Sequence, residues 1–129
     1  MPVGGIPIWR TSHFEAGTKY PTARVVDRDG NVVVPGDFTG SAVIRVFDLS
    51  SETPTTVIFS NTLSIGSVIH GLTAWDVDDE GENFQTSITS NQVAWSGGHT
   101  YRVSCLLPHT SQGYIPVVFD LVIESLFSL

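Results

Sequence analysis

The chain has 129 residues, and its 13 acidic against 6 basic residues give a net charge of −7. This length suits one domain that buries roughly two thirds of its unfolded surface, so neither a metal nor a disulfide is needed for folding. The acidic balance argues against a nucleic-acid partner, which requires a basic patch, and no apolar run reaches the roughly 20 residues of a membrane helix.

The first 19 residues carry repeated Pro and Gly, which break a helix, and they lack the basic and apolar regions of a signal peptide. Disordered tails are normally poor in large apolar side chains, yet this segment contains Ile6, Ile8, Trp9 and Phe14. We therefore predict an extended N-terminal arm over residues 1–19. Either the arm covers its own core or sheet edge, or it docks on a neighbouring subunit by strand addition.

After the arm, turn residues separate a series of short strand-like segments. Residues 20–27 form the first predicted strand, and Asp29-Gly30 is a strong hairpin signal. Residues 42–48 are the clearest early strand, because alternate apolar side chains there oppose Arg45. Further strands are predicted over residues 55–65, 68–72 and 83–89, followed by a short helical turn at residues 90–95.

Two strongly apolar strands near the end of the chain form a predicted antiparallel hairpin. In residues 101–107 the apolar positions alternate with Arg102 and Ser104, which is the period of a strand with one buried face. In residues 117–123 an apolar row faces away from Asp120, and a turn-rich connection joins the two strands. A hairpin alone is barely stable, so the other strands must cover its apolar face.

Three corner motifs of the chain resemble those of a known family. They are Asp29-Gly30, the segment Phe38-Thr39-Gly40-Ser41-Ala42-Val43-Ile44-Arg45-Val46, and the segment Gly97-Gly98-His99-Thr100-Tyr101-Arg102-Val103. In this pattern the chain is similar to small immunoglobulin-like (Ig-like) structural domains of tailed bacteriophages, such as the N-terminal domain of baseplate upper proteins. The resemblance covers about residues 20–124 and implies a virion structural component rather than an enzyme.

The strand pattern and this resemblance together predict the fold class. Seven or more short strands with regularly spaced turn signals indicate an all-β sandwich or barrel. The resemblance implies the sandwich form. We therefore expect a single antiparallel Ig-like β-sandwich over residues 20–129, preceded by the extended arm over residues 1–19.

An acidic segment at residues 76–82 is the only candidate metal site in the sequence. Asp76, Asp78 and Glu80 occupy positions 1, 3 and 5 of a calcium-loop pattern. Position 12 is Ser87 instead of Glu, and no flanking helices are predicted. We interpret the segment as a solvated acidic loop, with a calcium site as the weaker alternative.

No catalytic pattern stands out elsewhere in the chain. The four histidines have no paired spacing for zinc, and neither a nucleophile elbow nor a phosphate loop is present. Cys105 is in phase with Tyr101 and Val103, which indicates a small buried side chain rather than a nucleophile. We expect a protein with no enzymatic activity and no cofactor.

The three tryptophans allow two kinds of interpretation. Trp75 and Trp95 lie beside predicted loops, where exposed rings could stack on sugars, or where they could close the ends of the sandwich. Trp9 lies in the arm, and Trp is enriched among interface anchors. We therefore expect Trp9 to contact a partner, and we keep glycan stacking by Trp75 and Trp95 as the alternative.

These observations predict a phage virion structural protein that acts by protein–protein binding. Its first expected role is a capsid decoration or cement protein, with the arm residues as the interface: Ile6, Ile8, Trp9 and Phe14. The expected partners are other virion proteins, the major capsid protein above all, and further copies of this chain. The expected location is the virion, assembled in the host cytoplasm, with no nucleic-acid or membrane partner. The alternative is a carbohydrate-binding or tail/baseplate accessory domain.

Overall fold

The structure is a computed structural model that describes residues 8–14 and 16–125. These residues form an all-β protein without an α-helix. The strands are β1 (Ile8–Phe14), β2 (Thr22–Ala23), β3 (Ser41–Asp48), β4 (Val57–Ser64), β5 (Ile69–Thr73), β6 (Glu82–Gln85), β7 (Thr100–His109) and β8 (Gly113–Glu124). Two short 3-10 turns lie at Pro35–Asp37 and Ile65–Ser67. Within the described ranges no helix is long and apolar enough to cross a membrane.

The strands belong to two sheets of unequal width. The larger sheet has the order β1-β8-β7-β3-β4, and the smaller sheet has the order β2-β6-β5. Every named strand pair is antiparallel except β1 with β8, which run in parallel from Ile8 opposite Val118 to Phe14 opposite Glu124. The antiparallel prediction for residues 20–129 holds for every strand pair within that range, and the larger sheet is mixed because β1 from the predicted arm adds a parallel strand.

The predicted hairpin is the longest paired unit of the larger sheet. β7 and β8 pair without a register shift from Thr100 opposite Val122 to His109 opposite Gly113. The alternation seen in the sequence is the alternation of burial, because the odd-numbered side chains of β7 are buried from Tyr101 to Leu107. Gly98 precedes the hairpin with a φ of +84°, a conformation that favours glycine.

One core lies between the two sheets. The larger sheet contributes its inward row on β3, β7 and β8, and the smaller sheet contributes Ala23, Ile69 and Phe84. The rings of Phe84 and Phe119 stack with centroids 5.7 Å apart, and this contact joins the two layers directly. The described residues thus form a sandwich-like all-β structure.

The smaller sheet is shorter than the sequence predicts. Residues 20–27 supply only the two-residue strand β2 and an isolated bridge from Val26 to Val32. The Val25 N–H donates to the side chain of Asn83, and the Val25 C=O accepts from the Asn83 side chain and from the Val33 N–H. The predicted turn at Asp29-Gly30 is present, since the Gly30 N–H donates to the Asp27 carbonyl.

Residues 83–89 depart from their predicted form, whereas residues 90–95 contain the predicted turn. The strand β6 ends at Gln85, after which only Ile88 makes a bridge, to Lys19. The predicted helical turn is present as one hydrogen-bonded turn, in which the Thr89 carbonyl accepts from the N–H groups of Gln92 and Val93. The bridge from Ile88 to Lys19 joins distant parts of the chain, so local sequence did not predict where β6 ends.

The side chain of Asn83 connects the backbone segments that contain Val25 and Val33. Its side chain is fully buried; Oδ1 accepts from the Val25 N–H at 2.7 Å, and Nδ2 donates to the carbonyls of Val25 and Val33 at 3.0 Å. We expect Asn83→Ala to lower the free energy of unfolding by about 3 kcal/mol, because it leaves buried backbone groups unpaired. Chemical denaturation measures the loss.

Asn31→Ala is the matched control for this substitution. Asn31 is exposed, and the hydrogen bonds of this residue use its backbone. We expect a change within about 0.5 kcal/mol, as for most surface positions. Equal losses for the two variants would contradict the role given to the Asn83 amide.

Candidate interaction surface

The segment treated as an arm in the sequence contains the edge strand β1. Ile8 is 48% exposed, whereas Trp9 is partly buried and packs against the core. Phe14 is the last residue of the strand, and Ile6 lies outside the described residues. The parallel pairing to β8 means that one side of β1 is bonded to its own domain, and the other side is an edge of the sheet.

Trp9 belongs to a small cluster that holds β1 against the acidic loop. Its ring centroid lies 6.0 Å from that of Trp75. The guanidinium of Arg24 lies 5.9 Å from the Trp75 centroid, within the range of a cation–π contact. The Trp75 indole Nε1–H donates to Asp78 Oδ1 at 2.8 Å. The two tryptophans are thus held by contacts within the chain itself.

Asp78 is the polar centre of the acidic loop. Besides Trp75, its carboxylate accepts from Arg24 Nη1 at 2.8 and 2.7 Å and from the backbone N–H groups of Glu80 and Gly81. These hydrogen bonds, first from Trp75 and then from Arg24, hold the pKa of Asp78 well below its usual range.

The same guanidinium occupies the space between two of the calcium candidates. Arg24 Nε lies 3.2 Å from Glu80 Oε2, while its Nη1 contacts Asp78. Asp76 is exposed and has no contact to either group. Among the described residues, no group of three or more His, Cys, Asp or Glu side chains is arranged to hold a metal ion. The positive charge that balances this loop is supplied by Arg24.

The outer face of the larger sheet carries a second ion pair. Arg102 and Asp120 lie opposite each other on β7 and β8, and two nitrogens of Arg102 donate to the two carboxylate oxygens at 2.8 and 2.9 Å. Arg10 on β1 approaches the same carboxylate at 3.9 Å. This bidentate geometry fixes both side chains, and it raises the pKa of Arg102.

Beside this ion pair lies an apolar group that faces away from the core. We call it the outer row, and its members are Ile8, Val43, Leu106, Pro116 and Val118. The strand register places them side by side across four strands, since Val43 pairs with Leu106, Leu106 with Pro116, and Val118 with Ile8. Within the described residues neither sheet covers them, and each is partly or largely exposed. Such a patch on a sheet face is typical of an interaction surface.

The opposite edge of the larger sheet is formed by β4. Its inward side chains Phe59 and Leu63 pack only partly against the core, because the smaller sheet is too narrow to cover them. A cleft of about 180 Å³ remains between β4 and the smaller sheet, and both side chains line it. The sandwich is therefore open on this side.

The remaining candidates from the sequence lie in the core. Trp95 is only 6% exposed, and its ring meets the Tyr101 ring edge-on at a centroid distance of 5.0 Å. The Tyr101 hydroxyl accepts from the Ser96 N–H at 2.8 Å. Cys105 is fully buried, and this burial raises the pKa of its thiol to about 12. Trp95 presents little ring surface to a ligand.

Three residues that shape these surfaces were missed by sequence reasoning. Arg24 is 54 residues from Asp78, and Asn83 is 58 residues from Val25, so local patterns give no signal for either contact. A signal did exist for the third. Asp120 interrupts an apolar run at an outward position of the predicted hairpin, where a partner on the adjacent strand is expected.

Comparison with protein-family models, curated proteins and solved structures finds no match to this chain.

The acidic loop generates a prediction about pH. The folded pKa of Asp78 is lowered, so the unfolded chain binds the proton more readily and stability rises with pH in this range. The stabilisation is complete above the ordinary carboxyl pKa of about 3.9 and is lost as the pH falls below it. We expect the stability difference between the wild type and Asp78→Asn to shrink between pH 7 and pH 2, as measured by denaturant unfolding.

Asp76→Asn serves as the control, because it removes a similar charge from the same loop without removing a contact to Arg24. A pH profile for Asp78→Asn that coincides with that of Asp76→Asn would show that the Arg24 and Trp75 contacts do not stabilise the fold.

Proposed function

We propose that this chain is an Ig-like structural component of a tailed-phage virion, which acts by binding other virion proteins. The observation that carries a binding role is the outer row, an apolar patch on the uncovered face of the larger sheet. Burial of apolar area is the main driving force of protein association, at about 25 cal/mol per Å². An acidic, soluble protein that keeps such a patch exposed has a physical reason to bind a partner there.

The polar groups beside the outer row suit the rim of an interface. Arg102 and Arg10 flank one carboxylate, Asp120, so this area carries a surplus of positive charge on a chain of net charge −7. Arg is enriched in interfaces, and complementary charge orients the partner during encounter. The proposed partner surface is therefore apolar at its centre and acidic at one side.

The phage assignment within this proposal comes from the corner motifs. The structure places each one at a corner: Gly30 in a turn, Gly40 just before β3, and Gly98 just before β7. The resemblance carried by these motifs implies the Ig-like form of the sandwich and a virion location. The proposed role is decoration or cementing of the capsid exterior, with the major capsid protein as partner.

The alternative roles receive different degrees of support. Glycan stacking by Trp95 is disfavoured by its burial, and Trp75 is engaged by Trp9 and Arg24. A tail or baseplate accessory role would use the same outer row on a different partner. The distinction between capsid and tail is therefore a question of which particle part the protein binds.

The test is attachment of an outer-row variant to particles. Ile8 is the most exposed member of the outer row, and Ile8→Asp places a charge in the row next to Val118. We expect the apparent affinity for particles that lack this protein to fall at least about tenfold, because a buried unpaired charge is costly. Co-sedimentation of purified protein with such particles gives the binding curve.

Leu72→Asp is the matched control for this experiment. Leu72 is 50% exposed, close to the 48% of Ile8, and it lies on β5 in the other sheet. We expect this variant to bind particles like the wild type. Equal binding of wild type and Ile8→Asp, or equal weakening by both substitutions, would overturn the outer row as the attachment surface. If the wild type binds phage tails but not heads, the proposed location changes from the capsid to the tail.

A further inference from the structure

The two sheets end in four edge strands, and these edges differ in how they discourage pairing. The strand β1 carries Arg10, and charged side chains on an edge oppose association. The strand β2 has two residues, and β5 has five with an irregular register. The strand β4 is different: it has eight residues, Val57–Ser64, with no charged residue and no proline. Among the described strands, β4 is the longest edge and the least guarded.

An edge of this kind exposes main-chain groups and apolar side chains together. Val57 and Ile58 are 42% and 46% exposed, and Phe59 and Leu63 line the cleft on the inward side. The unpaired N–H and C=O groups of such a strand are a template for another strand. An exposed eight-residue edge strand without charged residues or proline can therefore pair with another strand.

We propose that the occupant of this edge is β4 of a second copy of this chain, paired antiparallel about a two-fold axis at Asn61. In that register Phe59 lies opposite Leu63 of the second copy, and Asn61 lies opposite its own counterpart. The inward faces of both sheets stay on the same side, since the two-fold axis is perpendicular to the sheet. The interface is isologous, the commonest symmetry of protein dimers.

Three properties of the strand favour a second copy over another partner. The inward residues are self-complementary, because an aromatic ring meets a branched aliphatic side chain on both sides of the axis. Asn61 Oδ1 accepts from the Thr62 N–H of its own chain at 2.9 Å, and Asn61 Nδ2 can donate to the Asn61 amide of the second copy at the axis. The net charge of −7 opposes close approach of two copies elsewhere, whereas β4 has no acidic residue.

Pairing also closes the open side of the sandwich. The cleft is lined by Ile44 and Val68 as well as by Phe59 and Leu63. A second copy places its own Phe59 and Leu63 along the open side, so the apolar lining of both clefts is covered. The larger sheets of the two copies become one continuous sheet of ten strands.

The outer row is not part of this contact. The outer row lies on the outward face from β1 to β3, whereas the proposed contact is made by the free edge of β4. A dimer thus presents two outer rows for attachment, and dimer formation and particle binding can fail independently. The inference therefore stands whether or not the partner is a phage particle.

The first test is the oligomeric state of Asn61→Lys. Asn61 is exposed and the substitution places two like charges at the two-fold axis, a device that protects natural edges. We expect concentration-dependent light scattering to show a wild-type dimer, and the dissociation constant of Asn61→Lys to rise at least about tenfold. The same substitution at Asn31, in an exposed turn far from β4 in sequence, leaves the dimer unchanged.

The second test locates the axis with a disulfide. Opposed residues of an antiparallel pair have Cα atoms about 4.5–5.5 Å apart, which suits a disulfide. We expect Asn61→Cys to form a cross-linked dimer on mild oxidation and Asn31→Cys to remain monomeric on a denaturing gel, since the native Cys105 is buried. A wild-type monomer at all concentrations, or a dimer that Asn61→Lys leaves intact and Asn61→Cys does not cross-link, would overturn the proposal.

Discussion

The contact between the β7–β8 hairpin and Phe84 is the constraint on which the other parts of the structure depend. The hairpin presents a long inward apolar row, and Phe119 in its centre stacks on Phe84 of the smaller sheet. Each fully buried side chain of this size contributes about 2 kcal/mol. Because a hairpin cannot bury its own face, every other strand is placed by the need to cover this row or to extend its sheet.

The unequal width of the two sheets follows from that constraint and explains the binding surfaces. The smaller sheet covers the centre of the larger one, where Ile44, Val103 and Phe119 are buried. It does not reach β4, and no layer covers the outer face among the described residues. The apolar outer row and the β4 edge are therefore left for other proteins. The two proposals use different parts of one sheet: attachment uses its outward face from β1 to β3, and self-association uses the free edge of β4.

Sequence reasoning succeeded where one buried face repeats along a strand. The alternation around Arg102 and Ser104 predicted β7, and the row that excludes Asp120 predicted β8. It left two alternatives open for β1, a place at its own sheet edge or on a neighbouring subunit, because a parallel pairing partner more than 100 residues away leaves no mark on a Pro- and Gly-rich segment. The sequence left two interpretations of Trp95 open, an exposed ring that stacks on a sugar and a buried ring that closes the sandwich. The edge-on contact with the Tyr101 ring, which the sequence does not reveal, shows that the ring is buried.

The candidate surfaces were harder to predict than the strands. The outer row combines residues from four strands, and no single strand shows it as more than an ordinary outward side chain. The role of Arg24 in the acidic loop depends on a contact with Asp78, 54 residues later. Physical patterns in sequence report burial and local turns, whereas surfaces depend on register between distant strands.

The central claim is that the N-terminal segment is a strand of its own sheet, so that Ile8 and the outer row form one surface. Amide hydrogen exchange by NMR tests it directly. We predict slow exchange for alternate amides between Trp9 and His13, as expected for an edge strand bonded on one side to β8, and the slowest exchange for β7 and β8. Exchange of all these β1 amides at unprotected rates, in a protein whose β7 amides stay protected, would contradict the account.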